Sequence, residues 1–300
     1  MIARLLGRIV GRGVVLAVGG ARLACCRGRS VIDWRRLETQ PARAGQFERI
    51  PKTTPAERIV ADLNALGATV DAAVEVRDSA PLWFHTFALA PGIYTPGVAR
   101  DHGYRIGVLE NLFDGASVLD VGAFDGFYSF LAEARGARRV VAVDNEQYVH
   151  WVRTRFDLEL EGGAGFRAVA GMISSEVAYR QMDAMDVREL GERFDVVLCF
   201  GILHRVTDPI ALLSALAAVL EPGGRVVLET YGSRLDPDSP ALEVHEPSDV
   251  YARDDFVYWG FGPEALRRLG RIAGLGEVEI VARVEIAGHP RILAVLRAAG

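Results

Sequence analysis

Lysine is almost missing from this chain: of 34 basic residues only Lys52 is a lysine, which reads as compositional bias of the genome more than as function. Cysteine is scarce as well. Cys25, Cys26 and Cys199 show no metal-ligand spacing, and an odd number with two adjacent builds no disulfide framework, so no metal is expected and a reducing, cytoplasmic setting is. No apolar run is long enough to cross a bilayer. The longest uncharged stretch near the start, Gly13 to Ala21, is bounded by Arg12 and Arg22 and falls far short of the about 20 residues a spanning helix needs. Internal repeats and low-complexity tracts are absent too.

What is present suits one full α/β domain with an appendage: 300 residues, half of them apolar. Charge is spread unevenly. Residues 1–50 hold ten arginines against Asp33, Glu38 and Glu48, a formal +7, whereas residues 51–300 carry −12. The body should therefore repel a nucleic-acid backbone unless the basic arm or a local patch captures it. Residues 1–30 read as that arm, disordered or surface-seeking, with Arg4, Arg8 and Arg12 on one helical face.

The most informative segment runs from Ser117 to Phe130. Val118 to Val121 reads as a buried parallel strand, Gly122 to Gly126 as a turn, and Phe127 as the opening of a helix. A second apolar strand, Val140 onward, ends at Asp144, where a carboxylate can accept both hydroxyls of a ribose. The turn carries an acid and lacks the G-x-G-x-x-G pattern of dinucleotide sites. An aspartate facing a pyrophosphate would repel it, whereas Asp120 or Asp125 beside an ammonium and a sulfonium would attract. The expected cofactor is S-adenosyl-L-methionine, held by Asp120, Gly122, Ala123, Asp125, Gly126, Asp144 and Asn145.

Strands are expected at 117–122, 139–144, 177–182, 194–200, 225–231, 277–284 and 291–297, alternating with helices. That pattern is an α/β, Rossmann-like seven-stranded sheet with helices on both faces. Residues 114–300 form this catalytic domain. Residues 31–113 read as a helical prelude and lid: Thr54-Pro-Ala-Glu57 resembles a helix start, Ile59, Leu63, Leu66 and Val70 recur at near-helical spacing, and Trp83 to Gly97 is the candidate lid. A long insertion at 232–262 is expected to carry function.

Further site residues follow from strand ends. Met182, Asp183 and Ala184 end the third strand, where Asp183 can accept the adenine amine or simply cap the next helix. Gly201 and His204 follow the fourth strand. His204 is the first choice for a general base, the alternative being a hydrogen bond within its loop. His85 and His102 are candidates for acceptor binding, as is a wall of His245 with Glu229, Tyr231, Tyr258 and Trp259 nearby in sequence. His150 and His289 read as structural.

These segments resemble the class I methyltransferases related to the tRNA wobble-uridine enzymes of 5-oxyacetyl and 5-methoxyuridine. The resemblance rests on Thr95-Pro-Gly97, Val118-Leu-Asp-Val-Gly through Tyr128, Gly201-Ile-Leu-His204 through Pro209, and Pro222-Gly-Gly through Thr230. It implies an S-adenosylmethionine-dependent enzyme. The carboxy-S-adenosyl-L-methionine enzymes of that group are expected to hold the extra carboxylate with Lys, Tyr and Arg, and their motif after strand four reads Gly-Val-Leu-Tyr-His. Here His204 and Arg205 stand in the last two places and no lysine is near, so the plain cofactor is expected. The expected activity is O-methylation of a small hydroxylated acceptor, with tRNA as the alternative acceptor and a cofactor-binding regulator without turnover as the rival of another class. Acceptor, methylated atom and oligomeric state stay open.

Overall fold

The computed structural model describes residues 60–64, 67–99, 102–251 and 253–299, with the strands Ala21–Ala24, Val31–Trp34 and Glu48–Ile50. Apart from Ala21–Ala24, the arm expected at residues 1–30 lies outside the described residues, as do Cys25, Cys26 and Thr54 to Ile59.

Seven strands make the body of the main sheet: β1 Ser117–Val121, β2 Arg139–Asp144, β3 Ala178–Gln181, β4 Phe194–Phe200, β5 Leu220–Tyr231, β6 Leu275–Ile286 and β7 His289–Ala298. Their order is β6-β7-β5-β4-β1-β2-β3, and Glu48–Ile50 adds an eighth strand parallel to β6 at the edge. β1 to β5 run parallel, while β7 is antiparallel to both β5 and β6. β5 begins before the expected residue 225 because Leu220 already pairs with Phe194 across a register shift. The sheet reverses direction of growth between β1 and β4, so their carboxyl ends diverge into a crevice.

Strands of a sheet covered on both faces read as apolar runs because each successive side chain enters a different core. Val118, Val140, Val196 and Leu198 enter one core with Trp83, Phe127 and Phe130. Leu119, Val141, Val197 and Cys199 enter the other with Leu212, Leu213 and Leu216. Helices α1 Phe127–Ala134, α2 Glu146–Phe156, α3 Ala164–Ile173, α4 Pro209–Ala218 and α5 Pro263–Ile272 complete the layers. α4 starts where its sequence says it must: Pro209 opens it and the Asp208 carboxylate accepts the Ala211 N–H at 2.9 Å. Among the described residues no helix is long and apolar enough to cross a membrane.

The expected helical prelude is corrected. Val31–Trp34 and Val60–Asp62 are strands of a five-stranded sheet, and Val60–Asp62 pairs in parallel with Thr86–Ala90. The helix that does form, Val70–Asp78, starts at a Thr69 cap whose side chain accepts the Ala72 N–H. The helical spacing of Leu63 and Val70 was coincidental, since Ala61 and Leu63 are buried with the two-residue period of a strand.

The segment expected to be a lid packs into the body: Trp83, His85, Thr86, Phe87 and Thr95 are all buried, and Phe84, His85, Val98 and Ala99 line one side of the crevice. The Thr95 hydroxyl donates to the His85 carbonyl at 3.0 Å and accepts the Phe87 N–H at 2.8 Å. Gly97 then lies so close to this backbone that a Cβ on it would sit 2.4 Å from the His85 carbonyl carbon. Backbone cannot yield as a side chain can. Gly97→Ala is therefore expected to lose about 1–3 kcal/mol or more of stability, the range for overpacking. A thermal midpoint equal to wild type would show that the wall can move.

Candidate active site

At the carboxyl ends of β1, β2 and β4 lies a cleft of about 590 Å³, inside the ~300–1,000 Å³ range of small-molecule sites. Asp120, Gly122, Asp144, Asn145, Met182, Asp183, Ala184 and Gly201 all line it, together with His85, His102 and His204. The topology alone brings these together, because each follows the end of a neighbouring strand or the wall before β1. Gly122 turns the chain with φ +78°, and a Cβ there would meet the Ile202 side chain at 2.4 Å.

Ala123, Asp125 and Gly126, expected at the cofactor, are not among the residues lining the cleft. Asp125 faces the opposite way: its Oδ2 accepts the N–H groups of Phe84 at 2.9 Å and His85 at 2.7 Å, and its Oδ1 sits 2.5 Å from Nδ1 of His85. Tyr231, His245 and Tyr258 are also absent from the lining. Tyr231 packs between His245 and His289, while the Tyr258 N–H is spent on the His204 carbonyl. The insertion supplies Tyr251, Asp254 and Phe256 instead. It is fastened by Asp254, which accepts both Nη atoms of Arg205 at 2.9 and 3.0 Å and the Trp151 indole N–H at 2.9 Å. His289, read as structural, lines the cleft and packs against Tyr251 with the rings tilted at 47° and 4.3 Å between centroids.

Burial sets the charge states. The Asp144 carboxyl is pushed up to about 7 by burial, although it accepts the N–H of Phe124 at 2.7 Å and of Asn145 at 2.9 Å. Asp120, bonded by the Ser129 hydroxyl at 2.6 Å, is pushed up by burial to about 6. Both acids hold a proton more tightly folded than unfolded, so the stability they contribute is complete below about 3.8 and lost as pH rises through about 6 to 7. Asp183 is committed on both oxygens, capping Met185 and accepting the Asn145 amide at 2.7 Å. Phe124 takes φ 53°, a strained conformation for a non-glycine residue, and places its ring against Tyr148 at 4.8 Å.

His204 is fully buried, and burial, reinforced by Arg291 and Arg205, drives its imidazole pKa well below 6.5. Its Nδ1 accepts the Tyr231 N–H at 3.2 Å. A neutral ring whose Nδ1 accepts must carry its hydrogen on Nε2, so His204 offers the cleft a donor. His102 is likewise held neutral by burial, with Nδ1 2.8 Å from the Tyr128 hydroxyl.

Glu229, expected in the acceptor wall, instead anchors a buried ion cluster that no local sequence pattern shows. Glu229, fully buried on β5, accepts the Tyr104 hydroxyl at 2.8 Å, Arg105 Nη2 at 2.9 Å and Arg291 Nη2 at 2.9 Å. Burial alone would raise its carboxyl, but Arg105 and Arg291 hold it down to about 2. Its contribution to stability is thus present above about 4.5 and lost as pH falls toward 2.

The fold and cleft define a class: a Rossmann-like sheet with a ligand site at its switch point and a carboxylate at the tip of β2. A methyltransferase domain family matches residues 99–277, and the chain belongs to it. The chain is 25% identical over 179 residues to the tRNA U34 carboxymethyltransferase of Sulfurovum sp. (strain NBC37-1), covering 59% of this chain and 54% of the relative. It is 30% identical over 116 residues to the protein of the same name from Campylobacter hominis, 39% of this chain and 36% of the relative. The chain thus spans about half the length, or less, of these curated relatives. Among solved structures, the N-terminal domain of EvdMO1 with SAH bound superposes with a TM-score of 0.53 at 25% identity, over 76% of this chain and 96% of that one.

Removing one partner from a buried ion pair typically loses about 3–5 kcal/mol, because the other charge stays buried. Glu229→Gln is expected to lose that much in urea unfolding. An unchanged midpoint would mean that Arg105 and Arg291 find another counter-charge.

Proposed function

We propose that the chain is an S-adenosyl-L-methionine-dependent methyltransferase that methylates an oxygen of a small hydroxylated acceptor. The observation that carries this reading is Asp144, a buried acid at the tip of β2 facing the same cleft as four imidazoles. Its residues fit the cofactor. Asp120 and Asp144 are acids kept partly protonated by burial, which a cation and a ribose diol would relieve. Phe124, Tyr148 and Trp151 give the purine an aromatic flank beside Asp144.

When bound, S-adenosylmethionine supplies a methyl already activated on a sulfonium, so alignment accounts for most of the rate. The protein's part is to orient and dehydrate. Asp144 holds the ribose, Gly201 lets the chain pass close to the reacting centre, and Nε2–H of His204 donates to an oxygen of the acceptor. The insertion, fastened through Asp254, covers the cleft. Plain S-adenosylmethionine is favoured over its carboxy form because Arg105 and Arg291 are already spent on Glu229 and Arg205 on Asp254, and among the described residues no lysine lines the cleft. The setting is the cytoplasm, where this cofactor is made.

A second reading, tRNA as acceptor, draws on the names of the curated relatives and the basic arm. It predicts tight tRNA binding that weakens steeply with salt. The small-acceptor reading predicts weak binding with no turnover of tRNA.

Asp144→Ala is expected to weaken the cofactor by about 1.5–3 kcal/mol, the range for hydrogen bonds to a charged group. Since the diol needs the ionised carboxylate while burial holds the free acid near 7, binding should expel a proton. Wild-type affinity should rise from pH 6 to pH 8, and Asp144→Asn should flatten that rise. Calorimetry showing equal, pH-independent affinities for wild type and variant would remove Asp144 from the site.

A further inference from the structure

We propose that His85, held by Asp125, is the catalytic residue that takes the proton from the acceptor hydroxyl. The proposal rests on the methyltransferase reading of this cleft and deepens it by assigning the base to a different imidazole from His204.

The argument begins with Asp125, which is 2% exposed. Its Oδ2 is occupied by two backbone N–H groups, leaving Oδ1 for the ring of His85 at 2.5 Å. A ring nitrogen against a carboxylate oxygen must carry the hydrogen, so Nδ1 is protonated, and in the neutral form of the ring Nε2 holds a lone pair. That Nε2 is buried, has no partner in the protein, and belongs to a residue that lines the cleft. A buried acceptor left unsatisfied is unfavourable, and a ligand hydroxyl donating to it would remove the penalty.

The ring is also fixed. Phe127 stacks on it at 4.7 Å and 24°, and the edges of His102 and Tyr128 stand at 5.0 and 5.4 Å. The charged and titratable groups facing it are Asp125 from the turn, His102 ahead of the helix Gly103–Val108, and Tyr128 from α1. The Tyr128 hydroxyl meets His102 at Nδ1, and Nε2 of His102 is buried without a partner, with no carboxylate on its ring to set the tautomer. His204 cannot substitute, because its Nδ1 is already accepting and its Nε2 carries a hydrogen. One imidazole accepts and the other donates. In the step itself, the acceptor O–H bond breaks as its oxygen bonds to the methyl carbon. The proton passes to Nε2 of His85, and the pair of the broken C–S bond stays on the departing sulfur. The imidazolium, paired with Asp125, afterwards returns its proton to solvent. Asp125 is a positioning residue: it sets the tautomer.

Imidazole ¹⁵N NMR of the full chain at neutral pH decides the assignment without any acceptor. One signal, lost in His85→Gln, should show protonated Nδ1 and bare Nε2, and should move to the Nε2–H form in Asp125→Asn. A His85 ring with hydrogen on Nε2 in the wild type would overturn the proposal. The companion measurement is S-adenosylhomocysteine release with catechol, whose hydroxyl, like that of tyrosine, stays protonated at pH 7. His85→Gln should lower turnover about 10²- to 10⁴-fold with cofactor affinity unchanged. Turnover within threefold of wild type would also overturn it. Failure of the methyltransferase reading would look different: no cofactor binding by wild type in calorimetry, whatever the tautomer of His85.

Discussion

Asp125 ties the two parts of the molecule together. The turn after β1 could have faced its acid toward the ligand, as the charge argument from sequence supposed. It points backward and binds the N–H groups of Phe84 and His85, just ahead of the strand Thr86–Ala90 of the five-stranded sheet. Three things depend on this one carboxylate: the wall of the cleft, the orientation of the His85 ring, and the shape of the loop that leads from Gly122 into α1. The close approach of Gly97 to the His85 carbonyl locks the same wall from its other side.

Around that anchor the cleft sorts its charges by the balance between burial and pairing. Asp120 and Asp144, with no cation beside them, rise to about 6 and 7, whereas Glu229 between two arginines falls to about 2. The first two acids face the space a cationic nucleoside would fill. The third is sealed away and serves to keep Arg105 and Arg291 in place. The same logic keeps His102 and His204 neutral, so these two imidazoles serve the cleft as hydrogen-bonding groups and not as charges.

Much of this was legible in the sequence, and for a physical reason. A parallel sheet covered on both faces must be apolar along every strand, so Val118 to Val121, Val140 to Asp144 and Phe194 to Phe200 announce themselves, and the acids at their tips stand out against that background. The aromatic strand within Trp83 to Gly97 could be read too, as Thr86–Ala90, but Val31–Trp34 and Val60–Asp62 could not, since Val60–Asp62 is short and its partner Thr86–Ala90 is distant in the chain. Direction was harder still. Asp125 reads as a ligand residue from composition, and only its long-range partners reveal that it faces inward. The Glu229 cluster joins residues 124 and 62 positions apart, a separation no local pattern encodes. Phe124, Tyr148 and Trp151 come together only because α2 packs beside the turn, a juxtaposition their sequence positions do not reveal.

The central claim is that this cleft receives S-adenosylmethionine with its ribose on Asp144. A crystal structure of the chain with S-adenosylhomocysteine tests it most directly. The account predicts both ribose hydroxyls within hydrogen-bond distance of the Asp144 carboxylate, ~2.5–3.0 Å, and the sulfur facing the space between His85 and His204. A ligand bound elsewhere, or a ribose turned away from Asp144 with the fold unchanged, would contradict it.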